Sequence, residues 1–399
     1  MADGHNTLQF SKPENVPDFD TYPVSRTLKT VRSEGRAVYV AWSDGTEHRY
    51  HAELLRENAP EAETTHPVTR EQVINLLDLP KDVSAIDARI TADGLLEVSW
   101  NWGNPTCFDP GWLSALAPGA EAFSLPERQV WTDGMRVPRF AARDVEDTVE
   151  GFEAFCTALH VWGAAIVEGL PATETTIETF PRKIGPIRDT NFGMFFDVIN
   201  KPDADSNAYT TLGLPLHTDL PTREYMPGLQ FLHCLQNDAQ GGESTLADAR
   251  RIGEALKTHD KDAFDTLATL PITFANTAKT TDYRVDAPFF EVDASGKVTG
   301  SRWATWLRGP FKGSFEDTDA LYSALRKVFA LGISPEMMVT ERLNAGDMLA
   351  FDNRRVLHGR NAYDLSTGGR HLRGCYLERE ELESRLRIIA REKRRAASL

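Results

Sequence analysis

The stretch LPLHTDLPTREYMPGLQFLHC, residues 214–234, reads as two short extended runs separated by a proline-punctuated turn. It sets His217 and Asp219 two residues apart, just before Pro221 interrupts the first run. On a strand, residues at that spacing point to one side, so an imidazole and a carboxylate could share one ion. The pair could equally be polar residues at an ordinary strand end. In a chain with 10 histidines an H-x-D pair is expected about once by chance. What lies around it has to decide.

Outward from this stretch, strand signals dominate. GLQFLHCLQ, STLADA, LPITFANT, PFFEVDA, DMLAFDN, RRVLHGR and LRGCYLE are short β-like runs with few helices between them. That pattern predicts a mainly β fold with flanking helices, a double-stranded β-helix (jelly roll), and not a Rossmann sheet. Upstream, DTVEGFEAFCTALHVWG has helical spacing and leads into a strand, AAIVEGL. DTDALYSALRKVFALG predicts a helix with Leu321, Leu325, Val328 and Phe329 on one face and Gly332 as its stop. The tail LESRLRIIAREKRRAASL predicts a helix that packs Leu382, Leu386 and Ile389 inward and leaves its basic end solvated.

Before residue 140 the signals are different. Residues 1–25 read as a flexible arm rich in Pro, Asp and Asn. Residues 26–123 read as a small α+β domain. AVYVAWSDGTEHRYH and ITADGLLEVSW each alternate around an Asp-Gly hairpin turn, and TREQVINLLDL opens on a capping-box spacing, Thr69 and Gln72, that predicts a helix. Residues 124–140 read as a connector, and the jelly roll with its C-terminal helix is expected over 141–399.

A chain of 399 residues with a net charge of -15 and a pI near 5.2 is a poor candidate for binding nucleic acid or anionic membranes. Its four cysteines, Cys107, Cys156, Cys234 and Cys375, form no C-x-x-C pair. They suit reduced thiols in a cytoplasm. The polar, acidic N-terminus lacks a signal-peptide pattern, and no apolar run nears the roughly 20 residues a membrane span needs.

Downstream of the H-x-D pair, GDMLAFDNRRVLHGRNAY offers His358 as a third ligand. Two imidazoles and a carboxylate leave adjacent positions open on the ion, which suits a non-haem Fe(II) that holds a cosubstrate and dioxygen. Twelve residues further on, Arg370 can grip the far carboxylate of a dicarboxylate with two parallel hydrogen bonds. Ser244 in GGESTLADA is a second donor for it. His233 and His371 have no partner at ligand spacing and read as core or supporting residues.

These ordered motifs, with KIGPIRDTNFG, AYTTLGLPLHTDLP, NAGDMLAFDNRRVLHGR and SRLRI, resemble the Fe(II)/2-oxoglutarate dioxygenases, specifically the γ-butyrobetaine and trimethyllysine dioxygenase branch. AWSDGTEHRYHAELLREN and LLEVSWNWGNPTCFDPGWL resemble that branch's small N-terminal domain. The resemblance implies iron at His217, Asp219 and His358, with 2-oxoglutarate and O2 as cosubstrates and Arg370 as the anchor. It also implies a homodimer. Where the family carries zinc-binding cysteines and a histidine, this chain has Ala59, Glu61, Thr64 and Asn104, so no structural zinc is expected.

The resemblance further implies a trimethylammonium substrate held by aromatic rings at Phe192, Phe196, Tyr209 and Tyr376. Where the γ-butyrobetaine enzymes use asparagines for the substrate carboxylate, SRWATWLRGP has Ala304 and Thr305, with Arg302 two residues before. A more heavily charged head group is therefore expected, a phosphonate as in 2-(trimethylammonio)ethylphosphonate, with Arg302, Ser206 or Asn207 as donors. γ-Butyrobetaine is the alternative substrate. A non-catalytic quaternary-ammonium binder and a cosubstrate-free metal hydrolase are the rival classes.

Overall fold

The computed structural model describes residues 22–66, 69, 71–117, 125–201 and 210–397. Most of the arm expected over 1–25 lies outside them. Contacts divide the chain into two units, Met1–Ser124 with Ala390–Leu399, and Leu125–Ile389.

The first unit is built from two small antiparallel sheets. Leu28–Glu34, Ala37–Trp42 and Glu47–His51 form one, and Ala85–Ile90, Leu96–Trp100 and Thr106–Phe108 the other. Both Asp-Gly hairpins form, with Gly45 and Gly94 at positive φ. Alternation sends Val38, Val40 and Trp42 into one core with Leu96, Val98 and Trp100. The helix expected over TREQVINLLDL does not form. Only a single 3-10 turn, Leu76–Asp78, appears there, capped by Asn75. Val73, Leu76 and Leu77 are exposed, so no apolar face is buried to offset the cost of helix nucleation. The segment pairs with its neighbour instead, through Val73 N–H to Thr64 O and His66 N–H to Glu71 O.

Around Glu61 and Thr64, a charged hydrogen-bonded cluster closes the loop. The buried Arg56 guanidinium donates to Glu61 at 3.2 Å and to the Thr64 hydroxyl at 3.0 Å. Glu61 accepts in turn from the Thr106 hydroxyl, which accepts from the Trp100 indole. Ala59 is fully buried and Asn104 is exposed.

The second unit holds two larger sheets and three two-stranded ones among the described residues. The larger runs, in spatial order, Arg139–Ala141, Ala164–Glu168, Met348–Asp352, Leu229–Asn237, Arg370–Leu377 and Phe196–Ile199. The smaller runs Leu214–His217, Val356–Arg360, Ser244–Asp248 and Met338–Glu341. All pairings are antiparallel except the first in the larger sheet. Neighbours in space are far apart in sequence, as a jelly roll requires.

Three apolar clusters define the layers. Leu232, Leu349, Phe351 and Leu372 from the larger sheet meet Leu246 and Val356 from the smaller. The larger sheet's other face packs Leu229, Phe231 and Ala350 under Phe155 and Leu159 of the helix Val149–Trp162 and under Leu382 and Leu386 of the tail helix. The smaller sheet's other face packs Leu216, Ala247 and Leu357 against Ile252, Leu321, Leu325 and Val328 from helices. Successive residues Leu357 and His358 thus face opposite ways, one into the covering helices and one toward the opposing sheet. The Val149–Trp162 helix stops at Gly163, whose φ of 74° continues into the strand Ala164–Glu168. No helix among the described residues is long and apolar enough to cross a membrane.

Candidate active site

His217 closes the strand Leu214–His217 and lies opposite His358 in the antiparallel register. Opposed residues share a face, and the two imidazole centroids stand 4.1 Å apart. Asp219 lies past the end of the strand, so the pleat does not set its direction, contrary to the simple i, i+2 reading. Other contacts hold it. Its N–H donates to Asn353 Oδ1 at 2.7 Å, and Asn353 Nδ2 donates back to the Asp219 carbonyl at 3.0 Å. Between the two ligands, the Thr218 N–H donates to the Trp303 carbonyl, and the Thr218 hydroxyl accepts from the Trp303 N–H.

Leu220, immediately after Asp219, has φ of +53° and is the only non-glycine residue at positive φ among those described. Such a backbone costs about 1–3 kcal/mol and needs support. Arg302 provides it. Its buried guanidinium donates to the carbonyls of Pro221, Arg223 and Glu224. This corrects the expectation that Arg302 binds an anionic head group: the guanidinium is occupied by the loop, and Arg302 does not line the pocket.

His217 Nε2 lies 3.2 Å, and His358 Nε2 3.6 Å, from Asp219 Oδ1. Adjacent ligands on a metal with bonds of roughly 2.1 Å stand about 3 Å apart, so the three residues fit one ion. They are the only such His/Cys/Asp/Glu cluster among the described residues. Burial pushes His358 down to about 3, and the neighbouring His217 acts in the same direction. Burial alone would raise Asp219, but the His358 and His217 imidazoles and the Tyr376 hydroxyl outweigh it and hold the carboxyl below its ordinary range. Neutral imidazole and ionised carboxylate are the forms that ligate a cation. His217 Nδ1 sits 2.9 Å from the Pro215 carbonyl, a bond that leaves Nε2 for metal.

The triad opens on a pocket of about 150 Å³ between the sheets. Arg370 and Tyr376 lie on one face of the same strand, six residues apart, hence about 20 Å along it. At the Arg370 end, Ser244 is the register partner of Arg360, two residues from the His217–His358 pair. Arg370 Nε donates to the Gly242 carbonyl at 3.1 Å. A Cβ on Gly242 would come within 2.9 Å of the Arg370 side chain, and its φ is +73°, so the GG of GGES is needed there. Burial, then the like charge of Arg360, lowers Arg370 to about 10. No carboxylate of the described residues pairs with Arg370, which leaves a cationic end suited to an anion.

At the other end, the Phe196 and Tyr376 rings stack at 4.9 Å. Phe196 lies across Gly374, where a Cβ would meet its ring at 2.5 Å. Tyr376 Oη donates to Asp219 Oδ2 at 2.7 Å. Phe192 lines the same pocket and is 45% exposed, which puts it at the rim. Tyr209, Asn207 and Ser206 lie outside the described residues. His371 pairs with Asp197 at 2.8 Å, beside Phe196 on the edge strand, and His233 is fully buried in the core.

Sequence reasoning missed Asn353, Arg360 and Gln230. Arg360 follows His358 by two on a strand, so alternation alone could have placed it in the pocket. Asn353 and Gln230 sat within quoted motifs but showed no spacing that marked them.

Comparison with known proteins agrees with this geometry. Residues 132–376 match the family model described as taurine catabolism dioxygenase TauD, TfdA family, and residues 29–114 match the gamma-butyrobetaine hydroxylase-like N-terminal model. The chain belongs to the TauD/TfdA dioxygenase family. It is a non-haem iron, 2-oxoglutarate-dependent dioxygenase, and its fold is the jelly roll of that family with a separate N-terminal domain. It is 39% identical over 381 residues to a gamma-butyrobetaine dioxygenase of Pseudomonas sp. (strain AK-1), covering 94% of this chain and 100% of that one. It is 28% identical to the gamma-butyrobetaine dioxygenase of Homo sapiens, over 88% and 93% of the two chains. It is 24% identical to a trimethyllysine dioxygenase of Meyerozyma guilliermondii, over 89% and 94%. A solved taurine dioxygenase from Burkholderia xenovorans superimposes with a TM-score of 0.48 and 16% identity, over 63% of this chain and 91% of its own. Family membership displaces the binding-protein and hydrolase readings.

Proposed function

We propose that this dioxygenase hydroxylates a short trimethylammonium zwitterion, with γ-butyrobetaine as the first candidate. The observation that carries the reading is the stacked Phe196–Tyr376 pair at the pocket end away from Arg370, bonded through Tyr376 to Asp219. A quaternary ammonium has no N–H to donate and is recognised by π-electron density. Relatives named for γ-butyrobetaine and trimethyllysine support the same class.

The phosphonate reading loses the arginine that motivated it, because Arg302 serves the loop after Asp219. 2-(Trimethylammonio)ethylphosphonate remains the second candidate for one reason. Ala304 is buried and Thr305 exposed, so neither replaces the asparagines that the resemblance expects for a carboxylate.

In this reading His217, Asp219 and His358 hold Fe(II), while Arg370 and Ser244 hold the far carboxylate of 2-oxoglutarate. Bound iron supplies the oxidative chemistry: dioxygen is reduced, 2-oxoglutarate leaves as succinate and CO2, and one oxygen enters a substrate C–H bond. The chain supplies position. Tyr376 and Asn353 fix the direction of Asp219. Leu232 and Leu372 keep the middle of the pocket apolar. The aromatic wall holds the cationic end so that one carbon faces the triad. Succinate release measured with each zwitterion tests this. Release should depend on substrate and be faster with γ-butyrobetaine. Faster turnover of the phosphonate reverses the order, and stimulation by neither overturns the substrate class.

A further inference from the structure

Beside the triad lies a second cavity, polar and about 290 Å³ in volume, lined in part by Asn191, Leu220, Arg223 and Tyr283. Two of these are chain neighbours of residues that line the metal pocket: Asn191 precedes Phe192, and Leu220 follows Asp219. The rim turn and the metal-ligand loop thus each face both cavities.

Arg223 joins the two. Its N–H donates to the Leu220 carbonyl at 3.1 Å, and its own carbonyl accepts from Arg302, so its main chain belongs to the loop. Its side chain leaves the loop. The guanidinium stacks on the Tyr283 ring, 3.2 Å from the centroid, and donates through Nη2 to the Asn191 side-chain oxygen. Its Nε is buried without an acceptor. An arginine kept only for solubility would stay hydrated, since burying an unmet donor is unfavourable. This one is held for its contacts.

The turn it reaches has little else to hold it. Thr190 and Gly193 exchange main-chain bonds, and the Thr190 hydroxyl accepts from the Phe192 N–H at 3.1 Å, all within the turn. Among the described residues, the bond from Arg223 to Asn191 is the only hydrogen bond that ties residues 190–193 to another segment. Phe192 is 45% exposed, so packing alone does not fix its ring.

We propose that Arg223 is a positioning residue that sets the Phe192 ring at the mouth of the pocket, and so tunes affinity for the cationic end of the substrate without touching it. The inference rests on the trimethylammonium reading, in which Phe192 offers the cation a ring beyond the stacked Phe196–Tyr376 surface. A ring already in place when the ligand arrives lowers the ordering cost of binding. Arg223 takes its own position from the loop after Asp219, so rim and metal ligand share one frame.

The test is calorimetry with γ-butyrobetaine on the full chain loaded with Mn(II) and 2-oxoglutarate. Phe192→Ala should weaken binding about tenfold. Arg223→Met keeps the stem and the main-chain bonds of the loop but removes the donor, and should weaken binding about three- to fivefold. Asn191→Ala, at an exposed position where folding is not at stake, should match it. Arg223→Lys, which can still donate to Asn191, should recover part of the loss. In the Phe192→Ala background neither Arg223→Met nor Asn191→Ala should weaken binding further, because the ring they position is gone. Affinities for Mn(II) and 2-oxoglutarate should stay within about twofold throughout. Losses that add in the Phe192→Ala background, or unchanged affinity in both Arg223→Met and Asn191→Ala, overturn the positioning role and leave the substrate class standing. If wild type does not bind γ-butyrobetaine, or Phe192→Ala binds it as wild type does, the reading of Phe192 fails and this inference with it.

Discussion

Tyr376→Phe separates two roles that one residue combines. The ring stacks on Phe196 at 4.9 Å, and the hydroxyl donates to Asp219 Oδ2 at 2.7 Å from a side chain that is 3% exposed. Phenylalanine keeps the ring and removes only the donor. A buried hydrogen bond to an ionised carboxylate contributes about 1.5–3 kcal/mol, which corresponds to roughly 10- to 100-fold in an equilibrium constant. The loss should fall on metal binding, because Asp219 sits on a loop past its strand and depends on such contacts for direction. Titration with Mn(II), followed by its electron paramagnetic resonance, should show Kd raised within that range. The KM for γ-butyrobetaine at saturating metal should move less than about threefold, since the aromatic wall remains. Unchanged metal affinity with a tenfold rise in substrate KM would refute the division of labour.

Other expectations follow from the same contacts. Arg370→Ala should raise the KM for 2-oxoglutarate by roughly 10- to 100-fold with metal affinity unchanged. Because Arg370 is held at about 10 by burial and Arg360, that KM in the wild type should stay level from neutral pH to about 9 and climb beyond 10; a rise already at pH 8 would assign the anion to another group. Arg302→Leu strips donors from three carbonyls around the strained Leu220. It should lower Tm by several degrees and weaken metal binding, whereas a rise in substrate KM alone would restore its head-group role. His233 is fully buried, and burial lowers it to about 4. Its folded value lies below the unfolded 6.5, so the unfolded chain takes up the extra proton between them. Stability should therefore fall as pH drops from about 6.5 to 4, by about 3 kcal/mol from this residue. His233→Gln, by urea denaturation, should flatten that slope, and an identical slope would assign the acid sensitivity elsewhere.

The triad was legible in the sequence because each ligand sits in a motif whose chemistry is local: an H-x-D before a proline, and a histidine in a strand that must face inward. The place of Arg370 on the pocket wall was legible for the same reason. Arg302 was not, since a positive charge near a substrate segment does not reveal that its partners are backbone carbonyls some 80 positions away. The failed helix at Thr69 shows the same limit in the fold. Its cap and periodicity were present, but Leu77 at 89% exposure had nothing to pack against. Asn353 passed unnoticed for a related reason, because its value lies in reaching the main chain of Asp219 across 134 positions.

One strand, Arg370–Leu377, carries both the buried arginine at one end of the pocket, which we propose anchors the cosubstrate, and a ring of the aromatic wall at the other. It acts as a ruler with fixed divisions. Sliding it by one residue would turn both groups to the wrong face, and lengthening it would separate oxidant from target. Relatives that accept longer or shorter molecules therefore have little freedom on this edge. Such variation should collect at the rim around Phe192, where a change of size leaves the spacing of the reactive centre intact.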